Sequence, residues 1–86
     1  MPPARRSKPR SPEHAALGEA VRTLRRDAGM SQEELADAAG TDLTQVGGIE
    51  RGIRNPSYTT LLRLAAALET TVGELTTVAD RLRGRG

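Results

Sequence analysis

Several residue types are absent from this sequence or nearly so. It contains no cysteine, tryptophan or phenylalanine, a single tyrosine and a single histidine. The lack of cysteine excludes disulfide bonds and thiolate metal sites. We do not expect His14 to bind a metal or act as a catalytic base, because no cysteine or second histidine can join it. With Tyr58 as the only aromatic residue, the core must be built from leucine, valine, isoleucine and alanine, which favours a small helical bundle over a sheet.

Long apolar runs are also missing. No stretch approaches the roughly 20 residues that a membrane-spanning helix needs, and no signal-peptide core is present, so we expect a soluble cytoplasmic protein. There is no glycine-rich phosphate loop after a strand and no cluster of carboxylates, so we expect no catalytic, cofactor or metal site. The 86 residues are enough for one domain with a core of marginal size.

Positive charge is concentrated at the start of the chain. The sequence has 13 Lys and Arg against 11 Asp and Glu, and residues 1–12 hold four of the cations and no acid. The remainder therefore carries nine cations and eleven acids, a net charge of −2. We expect residues 1–11 to form a disordered basic tail, because they contain too little apolar surface to offset the entropy of ordering. Composition leaves two roles open for this tail, a basic arm on DNA or a solvated leader.

A helical domain is predicted at residues 12–83, followed by a frayed end at 84–86. Its first helix begins at Ser11-Pro12, since serine is a good N-cap and proline is tolerated at the first helical position. Apolar residues then recur at helical spacing until Gly29 stops the helix.

Two further helices are predicted near the end of the chain, at about 58–69 and 72–83. On the first of these, Leu62 and Ala66 widen the apolar stripe. We therefore expect this helix to be buried on much of its circumference.

The central segment, residues 30–52, is predicted to form two short helices joined by a tight turn. Ser31 and Glu34 have the spacing of a capping box, and Gly40 suits the left-handed residue that ends a helix. Asp42 can then cap the next helix. Helices this short need tertiary packing to be stable. The apolar residues expected to face the core are Leu35, Ala36, Ala39, Val46 and Ile49.

Five strings in the sequence resemble the helix-turn-helix of the Cro and phage-repressor family, often called XRE-like. The resemblance extends from about Leu17 to Leu75, and it implies an all-α, five-helix, lambda-repressor-like DNA-binding domain. It also implies a sequence-specific DNA-binding transcriptional regulator of bacterial or phage origin, acting as a dimeric repressor on double-stranded DNA and associated with the nucleoid when bound. The strings are SQEELA at 31–36, Gly40 in the turn, IERG at 49–52, NPS at 55–57 and LLRLAAAL at 61–68.

The third helix is expected to read DNA bases. If Val46 and Ile49 face the core, its opposite face presents Leu43, Thr44, Gly47 and Gly48, with Gln45 at the helix start. Glutamine can bond an adenine edge, threonine a base or a phosphate, and leucine can pack on a thymine methyl. The resemblance implies the same base-reading residues, which are Leu43, Thr44, Gln45 and Gly48.

Other residues are expected to bind phosphate or hold the motif together. The resemblance implies phosphate contacts from Gln32, Arg51 and Arg54, and counterion release favours cations there. The alternative for the two arginines is ordinary solvated charge. The resemblance also implies a structural ion pair between Arg25 and Glu50. An unpaired carboxylate on a helix that approaches DNA would be repelled.

The pair Gly47-Gly48 departs from the family, which usually has longer or polar side chains there. Two glycines inside a helix cost about 1 kcal/mol each relative to alanine. They either let the helix backbone approach DNA closely or mark an unused surface in a protein of low DNA specificity.

The fifth helix offers Val78 and Leu82 beyond what one small core needs. We expect them to form a homodimer contact, with packing onto the first helix as the alternative. The diglycine and the net charge of −2 favour a second function on the same fold, a protein-interaction module such as an antitoxin-like or recruited partner subunit with weak DNA specificity. Loss of DNA affinity on Arg54→Ala would separate a regulator from such a module.

Overall fold

The computed structural model describes residues 8–84, and these residues form five α-helices and no strand. The predicted all-α architecture is confirmed, and the fourth and fifth helices end slightly earlier than expected. The helices are α1 Pro12–Asp27, α2 Gln32–Ala39, α3 Leu43–Glu50, α4 Tyr58–Ala67 and α5 Val72–Leu82.

The two predicted ends fall partly outside the described residues. Residues 1–7 of the basic tail and 85–86 of the frayed end lie outside them. The last part of the tail makes defined contacts, because the Arg10 N–H donates to the Gly52 carbonyl at 2.8 Å and Ser11 caps α1.

Each helix begins at a polar cap that the sequence marks. The side-chain oxygens of Ser11, Ser31, Asp42, Ser57 and Thr71 each accept a hydrogen bond from the backbone N–H three residues later. The reciprocal bond of the predicted capping box on α2 is also present, at 2.7 Å. These caps satisfy N–H groups that have no partner within their own helix, and they set where each helix begins.

The core is a small set of aliphatic side chains from all five helices. Burying each leucine or isoleucine contributes about 1.5–3 kcal/mol, and truncating one to alanine costs roughly 2–5 kcal/mol. This packing supports helices that are too short to be stable alone. The largest fully buried side chains are Leu35, Ile49, Leu64, Leu75, Val21 and Val46.

One expectation about α4 is wrong. Leu62 is 45% exposed and Ala66 is also exposed, so the helix is buried along one side only. Its main packing partners are α2 and α5, which together cover the side that carries Leu64 and Ala65. Helical spacing placed Leu62 beside the stripe but did not show that only one side of α4 would be covered.

The packing of α1 against α3 brings two backbones into direct contact at Gly18. A Cβ atom at this position would overlap with the carbonyl oxygens of Ile49 and Glu50 at the end of α3. Only glycine lets the two helices approach so closely. The position of α3 is thus fixed relative to α1.

Candidate nucleic-acid interface

The helix α3 has a buried side and a solvent-facing side at its N-terminal end. Val46 and Ile49 are fully buried, whereas Leu43 is 48% exposed and Thr44 is exposed. Gln45 is half-buried. A helix that presents its N-terminal residues in this way can enter a major groove about 12 Å wide and reach base edges.

The diglycine is not an open surface. Gly47 and Gly48 are both buried, and a Cβ added at Gly48 would lie 2.5 Å from Cγ and 2.7 Å from Cδ of Arg54. At Gly47 it would lie 3.0 Å from Nη1 of Arg51. The space that the glycines leave is thus taken up by the protein's own arginines, which fold back across α3. The sequence predicted either close approach of the helix backbone to DNA or an unused surface at the diglycine. Neither prediction included arginine side chains packed on the two glycines.

The guanidinium of Arg54 lies close to Gln45. Its Nη1 donates to Oε1 of Gln45 at 3.5 Å, at the long limit for a hydrogen bond, and both Arg54 and Arg51 are exposed. The contact is weak enough for Arg54 to exchange it for a better acceptor, such as a phosphate oxygen.

On the buried side of α3, Glu50 is the centre of an ionic cluster. Arg25 donates to it through two atoms, Nε to Oε2 at 2.6 Å and Nη2 to Oε1 at 3.1 Å, and also donates from Nη1 to the Met30 carbonyl at 2.8 Å. The amide of Gln32 donates to Oε1 at 2.9 Å, and Nε of Arg22 lies 3.5 Å from the same oxygen. Glu50 is only 3% exposed, so this cluster fastens α1, α2 and α3 together inside the fold.

The electrostatics of the cluster favour the charged form of Glu50. Burial by itself would raise the pKa of this carboxyl, but hydrogen bonds from Arg25 and Gln32 and the charges of Arg25 and Arg22 hold the pKa below its usual value. The hydrogen bond to Glu50 also raises the pKa of Arg25, despite the opposing effect of burial. The pair is ionised and its charges neutralise each other.

Gln32, expected to contact phosphate, is held partly inside the fold. Its side chain is half-buried and one of its amide hydrogens is donated to Glu50. Gln32 is also the first residue of α2, where backbone N–H groups attract anions. The position suits a phosphate contact from the backbone better than from the amide.

Sequence reasoning missed several contacts around the motif. Arg22 approaches Glu50, and the only available signal was its position three residues before Arg25 on the same helical face. Nδ1 of His14 is hydrogen-bonded to Oγ of Ser11 at 2.7 Å, and its Nε2 donates to Oδ1 of Asn55 at 3.2 Å, so His14 ties the loop after α3 to α1. No sequence pattern indicated this second contact.

The residues expected at a dimer interface differ in exposure. Val78 is half-buried and packs against the core, whereas Leu82 is 48% exposed near the end of α5, beside the start of α1. Exposed apolar side chains also occur on α4, where Tyr58 is 67% exposed and Leu62 is 45% exposed. Packing within the domain therefore buries Val78 more fully than Leu82.

Residues 8–84 contain neither a helix suited to span a membrane nor a cluster suited to hold a metal ion. None of the five helices is both long and apolar enough to cross a membrane. Within the same range, His, Asp and Glu side chains form no group of three or more that could hold a metal ion.

Comparison with known proteins places this arrangement among DNA-binding regulators. A family model described as Helix-turn-helix matches residues 21–75. The control protein C.SmaI of Serratia marcescens is 44% identical over 61 residues, which are 71% of this chain and 73% of that protein. The competence pilus inhibition repressor of Acinetobacter baylyi is 31% identical over 70 residues, which are 81% of this chain and 64% of that protein.

A solved structure has the same fold. The restriction-modification controller protein C.AhdI of Aeromonas hydrophila superposes with a TM-score of 0.74 and 43% sequence identity. The match covers 76% of this chain and 98% of C.AhdI.

Proposed function

The chain belongs to the helix-turn-helix family of sequence-specific DNA-binding transcriptional regulators, and we propose that it acts as a homodimeric repressor that reads the major groove with α3. Its role is binding rather than catalysis, and it acts in the bacterial cytoplasm on nucleoid DNA. One observation carries the proposal. The N-terminal end of α3 presents Leu43 and Thr44 to solvent. Gln45 is on the same end, and the side chain of the exposed Arg54 lies beside it.

Base reading is assigned to the N-terminal half of α3. Gln45 bonds an adenine edge, Thr44 bonds a base or a neighbouring phosphate, and Leu43 packs on a thymine methyl. Gly48 contributes by lacking a side chain, since this lets Arg54 lie against the helix and keep close to Gln45.

Phosphate contacts are assigned to the two ends of the motif. Arg51 and Arg54 follow α3 and are exposed, which suits the release of condensed counterions from DNA. The backbone N–H of Gln32 meets a phosphate at the start of α2. These contacts set the register of the domain on the duplex, so that the residues of α3 face the intended bases.

Dimerisation is assigned to α5 through Leu82, with Val78 beside it. An exposed leucine near the end of α5 supports this contact, and helix-turn-helix proteins commonly bind two-fold operators as dimers. Repression is supported by the A. baylyi relative, whose name describes it as a repressor. Occupation of an operator by the dimer is sufficient for such a role.

Selection of bound duplexes from a random DNA pool at physiological salt tests the proposal. We expect two inverted half-sites about 10 bp apart from centre to centre. Recovery of single half-sites would keep the regulator and contradict the dimer. Binding without an enriched sequence would contradict base reading, and no binding would favour a protein-interaction module instead.

A further inference from the structure

The N-terminal segment that the structure describes, residues 8–11, is attached to the loop after α3. The backbone N–H of Arg10 donates to the Gly52 carbonyl at 2.8 Å, although 42 positions separate the two residues. A Cβ at Gly52 would lie 3.0 Å from the backbone of Ala15, so the start of α1 also passes close to this loop. The chain therefore enters α1 directly beside the end of the proposed recognition helix.

The loop that receives Arg10 is itself held in place. The bond between His14 and Asn55 ties it to α1, and Pro56 is buried. Gly52 is also buried. The position of the Arg10 backbone is thus defined relative to α3, while its side chain is exposed.

Arg10 shares an open hollow with residues already assigned to DNA binding. Two arginines, a glutamine, an asparagine and an isoleucine line it, and none of the lining residues is acidic. Two arginines on an open concave surface can bind a phosphate group, because a planar guanidinium can donate two parallel hydrogen bonds to the phosphate oxygens. The lining residues are Arg10, Gln45, Ile53, Arg54 and Asn55.

The distribution of charge adds a second argument. Residues 13–86 carry a net charge of −2, and residues 1–12 carry four cations and no acid. The anchor at Gly52 brings one of these cations to the side of the domain where Arg54 lies. A duplex whose base edges meet Gln45 brings its backbone close to this hollow, since Gln45 is part of its lining.

We propose that Arg10 and Arg54 together bind one phosphate of the DNA backbone beside α3, so that the N-terminal segment forms part of the DNA interface. This inference rests on the proposed function, because it requires that α3 faces DNA. For the part of the basic tail that the structure describes, residues 8–11, it favours the basic arm over the solvated leader.

The test measures affinity for a duplex recovered from the selection, across a series of salt concentrations. Arg10→Ala keeps the backbone N–H and hence the anchor, so only the side chain is lost. We expect affinity to fall on the order of threefold to tenfold, equally for all sequences, and the salt slope to decrease by up to about 0.9 for each protomer bound, the value for one phosphate. Arg10→Lys keeps the charge and should restore the salt slope, but only part of the affinity.

The matched control is Arg26→Ala, which removes the same charge from an exposed position near the other end of α1. Fourteen residues of α1 lie between Arg10 and Arg26, about 21 Å at 1.5 Å per residue. It should keep the wild-type affinity and salt slope. In the double variant Arg10→Ala with Arg54→Ala, the combined loss should be smaller than the product of the two single losses, because both arginines bind one phosphate.

The outcomes separate this inference from the proposed function. Wild-type affinity and salt slope in Arg10→Ala, with specific binding by the wild type, would overturn the inference alone. Equal losses in Arg10→Ala and Arg26→Ala would also overturn it, since they would indicate a general effect of net charge. Failure of the wild type to bind any duplex would overturn both.

Discussion

Two arginines, Arg25 and Arg54, contact different residues of α3, and their environments differ sharply. Arg25 is 9% exposed and holds Glu50 through two hydrogen bonds of 2.6 and 3.1 Å. Arg54 is exposed, and Gln45 is a neutral acceptor 3.5 Å away. The first has an anionic partner inside the fold, and the second faces solvent with its charge available to a ligand. The comparison shows that one side-chain type serves stability or binding according to the partner that the fold provides.

The largest expected effect comes from breaking the buried pair. Arg25→Ala leaves the Glu50 carboxylate buried without its main partner, and we expect a loss of about 3–5 kcal/mol in the free energy of unfolding. Urea denaturation measures this loss. The adjacent Arg26→Ala removes the same charge from an exposed site and should change stability by less than about 0.5 kcal/mol. Similar losses in the two variants would contradict a specific role for Arg25.

The ion pair between Arg25 and Glu50 should make the stability of the protein depend on pH. The pKa of Glu50 in the folded state lies below its value in the unfolded chain, about 4.3, so the unfolded state takes up the proton first as the pH falls. The contribution of Glu50 is therefore complete above the unfolded pKa and is lost as the pH falls through the folded pKa. Glu50→Gln should be less stable than the wild type at pH 7 and lose less stability between pH 5 and 3. Chemical denaturation at each pH measures the free energy of unfolding, and the same pH dependence in the two proteins would contradict this prediction.

Arg54 should show the opposite behaviour from Arg25. Arg54→Ala should leave the free energy of unfolding within about 0.5 kcal/mol of the wild type, because the side chain is exposed. Its affinity for the selected duplex should fall roughly tenfold, with a salt slope smaller by up to about 0.9 for each protomer. Fluorescence anisotropy on a labelled duplex measures both quantities. A loss of stability comparable with that of Arg25→Ala would remove the distinction between the two arginines.

The smallest effect is expected from Gly48→Ala. This variant moves the side chain of Arg54 away from α3 and so tests whether its position there matters for DNA binding. The new Cβ would lie 2.5 Å from Cγ of Arg54, so the side chain must turn away from α3. Alanine favours the helix by up to about 1 kcal/mol over glycine, and stability should be unchanged or slightly higher. DNA affinity should fall a few-fold.

A double-variant cycle isolates the cause of that loss. In a background that already carries Arg54→Ala, Gly48→Ala should cost no further affinity, since no arginine remains to be displaced. An equal loss in both backgrounds would mean that the alanine itself obstructs the approach of α3 to DNA.

The helix starts were predictable because local chemistry determines them. Ser11, Ser31 and Asp42 cap their helices through backbone groups three residues away, which a sequence window contains. The exposure of Leu62 was not predictable, because it depends on which helices cover α4. Helical spacing reports which residues share a face but not how wide the covered face will be.

The candidate site was only partly predictable for a related reason. The outward position of Thr44 follows from the burial of its neighbours on a helix, and periodicity shows this. The packing of the Arg54 side chain against Gly48 depends on a side-chain conformation. The backbone hydrogen bond from Arg10 to Gly52 joins distant parts of the chain. Neither leaves a pattern in a single sequence. The pairing of Arg25 with Glu50 was expected from family resemblance and not from spacing.

The backbone contact at Gly18 has a consequence for operator choice. Because α1 and α3 meet there without an intervening side chain, the angle of α3 is set before DNA arrives. The protein then loses little conformational entropy on binding, and any misfit between the two recognition helices of the proposed dimer and their half-sites has to be absorbed by bending or twisting of the duplex. We therefore expect flexible pyrimidine–purine steps in the spacer between half-sites, at base pairs that the protein never touches.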